Sequence, residues 1–208
     1  MAMRVVVDNG PGQARRGASS RTLKSARPEV TLRAGQAADA PALHALIVAH
    51  LEEGRLLPRT LDELTVHAGR FVVATVPVTA RTGETSSPAL ERIVGCAELA
   101  PLSPTVAEVR SLVVSAEARK LGVGVRMVEA LSAAARVEGY RRLCAFAHDP
   151  AFFVHRGFSI VPHTWVPEKI AHDCTACPLF RNCGQYAIVL DLDRTSDERS
   201  LNVHRTTV

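Results

Sequence analysis

No apolar run in the 208 residues approaches the roughly 20 needed to cross a bilayer. The N-terminus carries basic residues without a following apolar core, so no secretion signal is expected and the chain reads as cytoplasmic. Aromatic residues make up only 4%, and none interleaves with the basic stretch. The net charge of +4 owes much to Arg4, Arg15, Arg16, Arg21, Lys24 and Arg27, all close to the N-terminus, so the sequence points to neither nucleic acid nor membrane as a partner. Cysteines number five, an odd count that argues against a disulfide framework when no secretion signal is present. There is no internal repeat.

With 47% hydrophobic residues the chain can bury one substantial core, and its length favours a single domain. Residues 1–28 are rich in Gly, Ser, Arg and Ala without a sustained period and read as a disordered leader, within which residues 4–7 could pair as a short strand. Residues 194–208 are polar and aperiodic and read as a tail, which leaves 29–193 as the folded domain. Strands are expected over 30–33, 71–78, 93–99, 106–114, 142–147, 158–161 and 187–192. Asp39 should cap a helix with Pro41 in its first turn and Leu43, Leu46, Ile47 and Leu51 on one face. Thr60-Leu61-Asp62-Glu63 has the form of a capping box opening a second helix. Residues 79–88 read as an exposed hairpin loop, and 149–156 as a short helix. The order β-α-α-β-β-β-α-β-α-β-β is α/β, with a mixed, mostly antiparallel sheet flanked by helices.

The stretch richest in chemistry is 108–138. Its strand ends in Ser111-Leu112-Val113-Val114, then a polar and basic segment leads to Gly122 and Gly124, and Val125, Val128, Leu131 and Ala135 recur at helical spacing up to Gly139. A strand, a glycine turn and a helix N-terminus leave backbone N–H groups aimed one way with the helix dipole behind them, which suits a phosphate or pyrophosphate. The spacing fits neither the dinucleotide fingerprint nor the P-loop. It fits Arg-x-x-Gly-x-Gly, here Arg119-Lys120-Leu121-Gly122-Val123-Gly124, and so resembles the acetyl-CoA-binding motif of the GNAT N-acetyltransferase superfamily. Phe152-Phe153-Val154-His155-Arg156-Gly157-Phe158 stands where that family has its F-(Y/F)-x-x-x-G-F segment. The resemblance implies a single GNAT-type domain in which Leu112, Val113 and Val114 hold the pantetheine arm of acetyl-CoA and Arg119, Lys120, Leu121, Gly122, Val123, Gly124 and Val125 hold its pyrophosphate. The plain reading of the same residues is a glycine turn before a helix.

Three further segments are similar to the acetyltransferase domain of bacterial N-acetylglutamate synthases, in their short single-domain form. They are Leu51-Glu52-Glu53-Gly54-Arg55-Leu56-Leu57-Pro58-Arg59-Thr60, Glu108-Val109-Arg110-Ser111-Leu112-Val113-Val114, and Val166-Pro167-Glu168-Lys169 with the cysteine segment behind it, and the resemblance covers about 30–193. It implies transfer of acetyl from acetyl-CoA to the α-amine of L-glutamate, the first step of arginine biosynthesis, with those two small molecules as partners and a homodimer among the allowed assemblies. The arginine-feedback site of longer synthases lies in a kinase domain for which this sequence has no room. Phe153 stands where many acetyltransferases have a proton-donating Tyr, as it does in the glutamate synthases.

The chemistry is attack of an amine on a thioester, and an α-amine is protonated at pH 7, so a base is needed. Glu108 is the candidate and Glu98 the runner-up; the alternative for Glu108 is a solvated strand residue. Guanidinium groups bind carboxylates in two-point fashion, which nominates Arg59 and Arg110, with Arg33 behind them, for a dicarboxylate acceptor. Each is otherwise a surface charge. His172, Cys174, Cys177 and Cys183 form a feasible Zn²⁺ set, less readily an iron–sulfur set, and otherwise are free thiols under a loop beside a ring. Two other functions stay open: acetylation of a different amino acid, amine or protein N-terminus, and a CoA- or metal-responsive regulatory module.

Overall fold

The computed structural model describes residues 29–51, 56–78, 91–177 and 179–193. The expected short strand at 4–7, the hairpin loop at 79–88, the leader and the tail lie outside the described residues. Seven strands form one sheet: β1 Thr31–Ala34, β2 Phe71–Pro77, β3 Glu91–Pro101, β4 Val106–Val114, β5 Arg142–Ala147, β6 Ser159–Val161 and β7 Tyr186–Asp191. Among the described residues five α-helices flank it: α1 Ala40–Val48, α2 Leu61–His67, α3 Val123–Val137, α4 Ala151–Val154 and α5 Pro167–His172. The spatial order is β1-β2-β3-β4-β5-β7-β6, and every neighbouring pair is antiparallel except β4 with β5. That exception follows from α3, which carries the chain back across the sheet between those two strands. Among the described residues no helix is long and apolar enough to cross a membrane.

The expected elements are present within a few residues, and two local details differ. Asp39 stands at the N-cap of α1 without a side-chain bond to that helix. Its carboxylate instead takes two bonds from Arg33, at 2.7 and 2.9 Å, and one from the Gln36 N–H at 2.8 Å. At α2 half of the capping box forms: Thr60 Oγ1 accepts from the Glu63 N–H at 3.2 Å, whereas the Glu63 carboxylate turns to Arg59. Helix α5 is an element that the sequence reading left out. It is six residues long, opens on Pro167 and has too few apolar positions to show a period.

The two faces of the sheet are built differently. Under α3, Val94, Ala97, Leu99, Ala107, Val109, Leu143 and Ala145 meet Val123, Met127, Val128, Leu131 and Ala135 in a continuous apolar core. The opposite face carries two smaller apolar clusters. One joins Leu43, Ile47 and Leu64 of α1 and α2 to Phe71, Val73, Cys96 and Val113; the other joins Val106, Cys144 and Val189 to Val166 ahead of α5. Between these clusters the central strands bear Glu98, Glu108 and Arg110 where alternation calls for apolar residues.

Strand β4 is irregular at this point. Cys96 pairs with Val113 and Glu98 with Arg110, so two residues, Ser111 and Leu112, oppose Ala97 alone. This is a β-bulge, and Ser111 sits in it with φ +49°. A left-handed conformation costs a non-glycine residue about 1–2 kcal/mol. The Cys96 thiol bonds the Ser111 carbonyl at 3.5 Å and the Arg59 guanidinium bonds its hydroxyl at 3.3 Å, so the strained residue is held from both sides.

Candidate active site

Parallel pairing of β4 with β5 runs from Val106 opposite Arg142 to Val109 opposite Ala145 and stops there. Strand β4 continues to Val114, so beyond the bulge its backbone has no ladder partner on the β5 side. Leu112, Val113 and Val114 border this wedge. The glycine turn adjoins it: Arg119 folds back so that its Nε donates to the Val114 carbonyl at 3.2 Å, and Lys120 and Gly122 both take left-handed φ values of +64° and +74°. Gly122 is the N-cap of α3, has no side-chain cap, and the first intrahelical bond runs from the Arg126 N–H to its carbonyl. The N–H groups of Val123, Gly124 and Val125 therefore lack acceptors in the helix ladder and point out of its positive end. A Cβ built on Gly124 would touch Phe152 at 3.4 Å and Val114 at 3.7 Å, which places the strand end, the turn and α4 around one small space. The ten candidate residues from Leu112 to Val125 thus lie in one continuous strip.

Phe153 is buried beneath this strip and packs edge-on between Phe152 and Phe158, at centroid distances of 5.1 and 5.3 Å. On the α3 side a cleft of about 420 Å³ starts at Val125 and passes Ser132, Arg136, His155 and Arg156. The Arg156 guanidinium carbon sits over the Phe152 ring, 3.7 Å from its centroid.

The charged band lies on the other face of β4. Arg59 places Nη1 2.7 Å from Glu98 Oε2, and Glu98 is fully buried. Its Nε is 2.8 Å from Glu63 Oε1, at an angle too bent for a hydrogen bond. Glu108, only 3% exposed, receives Lys169 Nζ on both oxygens, at 2.8 and 2.9 Å, and Arg110 Nε at 2.5 Å. Asp173, just past α5, accepts from Lys169 at 2.8 Å and from Arg110. Burial works against the charge of Arg110, yet Glu108 and Asp173 outweigh it and raise its pKa above the ordinary value. Burial likewise pushes the Asp173 carboxyl up, but bonds from Lys169 and His172 and the charge of Arg110 hold it below the usual range.

Glu108, Arg110, Glu98 and Arg59 are thus gathered in one band beside the bulge. Arg33 is not part of it; it pairs with Asp39 and Glu91 at the sheet edge. Three residues of the band carried no role in the sequence reading: Ser111, Lys169 and Asp173. Ser111 was legible as a hydroxyl in an otherwise apolar strand end, and Lys169 as a cation in a segment without helical period, but their convergence depends on the bulge and on α5.

The zinc expectation is corrected. Among the described residues no three His, Cys, Asp or Glu side chains lie where they could hold one ion. His172 ends α5 and turns Nδ1 to Asp173 Oδ1 at 2.8 Å, while the Cys183 thiol faces Gln185 Oε1 at 3.9 Å. Cys174, Cys177 and Cys183 are free and partly exposed, and the local turns distribute them around the segment rather than around a centre.

Comparison with known proteins agrees with this geometry. The sequence profile of the Acetyltransferase (GNAT) family matches residues 50–158. An uncharacterized N-acetyltransferase of Chlorobaculum tepidum is 28% identical over 164 residues, 79% of this chain and 97% of the relative. N-acetylglutamate synthase from Neisseria gonorrhoeae, solved with coenzyme A and N-acetyl-glutamate, superposes with TM-score 0.64 and 26% identity over 80% of this chain. This chain spans only 36% of that synthase. A Mycobacterium tuberculosis protein solved with CoA superposes with TM-score 0.60 over 77% of this chain and 98% of its own, at 20% identity, a likeness of fold. With the profile covering more than half of the sequence and the strand, wedge and glycine turn in place, the chain carries a single GNAT domain and belongs to the acetyltransferase (GNAT) family.

Proposed function

We propose that the chain transfers the acetyl group of acetyl-CoA to the α-amine of L-glutamate. The observation that carries this reading is the charged band on the inner face of β3 and β4: two guanidiniums suited to carboxylates and two buried carboxylates suited to an ammonium, all beside the wedge. The likeness to the gonococcal synthase supports it.

Bound acetyl-CoA supplies the activated thioester. The free N–H groups of Val123, Gly124 and Val125 take its pyrophosphate, with Arg119, Lys120 and Leu121 forming the turn that presents them. The backbone of Leu112, Val113 and Val114, open on the β5 side while Val113 and Val114 pair with β3 on the other, holds the pantetheine arm and offers N–H groups to the carbonyl oxygen as charge builds there. The cleft past Val125 gives the nucleotide end room beside His155 and Arg156. On the other side of β4, Arg59 and Arg110 orient the acceptor's carboxylates, and Glu108 takes the ammonium proton directly or through a water. A carboxylate has about four acceptor positions, so the bonds from Lys169 and Arg110 leave capacity for that proton's donor.

A thiol-release assay with acetyl-CoA against a panel of amino acids, polyamines and N-terminal peptides tests the reading. Saturable release with L-glutamate, well above that with glutamine or a simple amine, is expected. Release with other acceptors and none with glutamate overturns it.

A further inference from the structure

Asp173 is less buried than Glu108, Arg110 and Lys169, the charged groups it is networked with, and its position resembles that of a ligand. Its side chain is 26% exposed, against 4% for Glu108, 11% for Lys169 and 20% for Arg110. It sits one residue past the six-residue α5, with φ −124° and ψ −36°, so its side chain can turn outward without breaking the helix. Its second oxygen already faces the exposed ring of His172, which gives an outward-turned carboxylate a partner to keep. The two cations that it touches both contact Glu108 as well. Two positive groups against one buried carboxylate leave one unit of positive charge, and in this structure Asp173 neutralises it.

We infer that Arg110 and Lys169 together form the carboxylate receptor of the acceptor subsite, and that Asp173 is its internal occupant, displaced when the carboxylate of an incoming amino acid binds. This rests on the proposed reading of the band as the acceptor site. Lys169 then is a specificity-determining residue beside Arg110, and it also positions Glu108 by bridging both its oxygens. A receptor occupied most of the time by its own carboxylate binds ligand more weakly in proportion to the unoccupied fraction, so Asp173 sets the acceptor concentration at which the enzyme works.

The test is calorimetric titration of glutamate into the full chain saturated with CoA, which cannot turn over, run beside acetyl-transfer kinetics. Asp173→Asn and Asp173→Ala should each bind glutamate about three- to tenfold more tightly, the range for a site 70–90% self-occupied. Lys169→Met should weaken binding by about tenfold or more, and Lys169→Arg should recover most of the loss. The KM for acetyl-CoA serves as the internal control, and a monoamine without a carboxylate should show no gain in the Asp173 variants. If the wild-type chain acetylates glutamate but neither folded Asp173 variant binds it more tightly, the receptor assignment falls and the proposed function stands. If the wild-type chain instead acetylates another carboxylate-bearing amine, and the Asp173 variants bind that one more tightly, the glutamate reading falls and the receptor stands. An acceptor without any carboxylate overturns both.

Discussion

Gly124→Ala should move stability and ligand binding in opposite directions. The backbone at Gly124 is not left-handed, so alanine fits its conformation. The added Cβ would lie 3.4 and 3.5 Å from two Phe152 ring carbons and 3.7 Å from Val114 Cγ2, contacts of ordinary length. Replacing a helical glycine by alanine is worth up to about 1 kcal/mol, less in the first turn, so the melting temperature should hold or rise by ~2–4 °C. The same methyl is added to the middle one of the three residues whose N–H groups open α3 without an acceptor in the helix ladder. If it costs an incoming pyrophosphate one charge-assisted hydrogen bond, roughly 1.5–3 kcal/mol, acetyl-CoA should bind about ten- to hundredfold more weakly. Calorimetric titration and thermal melting of the same preparation read both quantities. Unchanged acetyl-CoA affinity in a variant that melts at or above wild type would refute the pyrophosphate assignment. A parallel loss of both would locate the damage in packing against Phe152. Gly122→Ala is the contrast: no atom lies within 4 Å of its Cβ, but φ is +74°, so strain of about 1–2 kcal/mol should lower stability.

Glu108→Gln should reduce kcat by on the order of 10²-fold near neutral pH, with part of the loss recovered at higher pH as the amine arrives deprotonated; full turnover would remove Glu108 as the base. Arg59→Ala strands the buried Glu98 carboxylate and should cost about 3–5 kcal/mol in chemical denaturation, besides raising the KM for glutamate; a loss under 1 kcal/mol would mean that Glu98 finds another partner. The Asp39 carboxyl is held below its usual range by hydrogen bonds from Arg33, so it contributes stability above the unfolded value of about 3.9 that is lost as pH falls through its lower folded value. Asp39→Asn should therefore be less stable at neutral pH and show a shallower acid limb, and a limb of unchanged slope would contradict the assignment. With a water-soluble thiol reagent Cys174, Cys177 and Cys183 should react in the native protein, whereas Cys96, pushed up to about 12 by burial, and Cys144, raised by burial and the nearby Glu108 charge, should react only on unfolding; five fast thiols would contradict the packing.

What could be read ahead of the structure was whatever depends on local spacing. The seven strands, the helix starts and the glycine turn each announce themselves within a dozen residues, whereas the family shows only when the Arg-x-x-Gly-x-Gly turn is taken together with the strand before it and the 152–158 segment after it. Helix α5 escaped because its six residues show no apolar period. With it went Lys169, whose partner Glu108 lies 61 positions away, and Asp173, which lies 63 from Arg110. Arg59 and Arg110 were picked out as acceptor-binding cations, but not as members of salt-bridged clusters, because ion-pair partners are set by sheet register. The cysteine spacing suggested a metal set that the local turns do not assemble; a spacing fixes the chain distance between ligands, not their direction.

The bulge at Ser111 also changes how the strand can be edited. Arg110 and Val113 are three apart yet face the same side, because two residues are spent opposite Ala97. Strand β4 is thus written in two reading frames, one up to Arg110 and another from Val113 onward. Deleting either Ser111 or Leu112 would therefore not be a frameshift in the sheet: Arg110 and Val113 would stand two apart, as in a regular strand, and both would keep their faces and their partners Glu98 and Cys96, while the bulge itself would be lost. The bulge thus absorbs a one-residue deletion of the kind that would exchange every face beyond it in a regular stretch of strand.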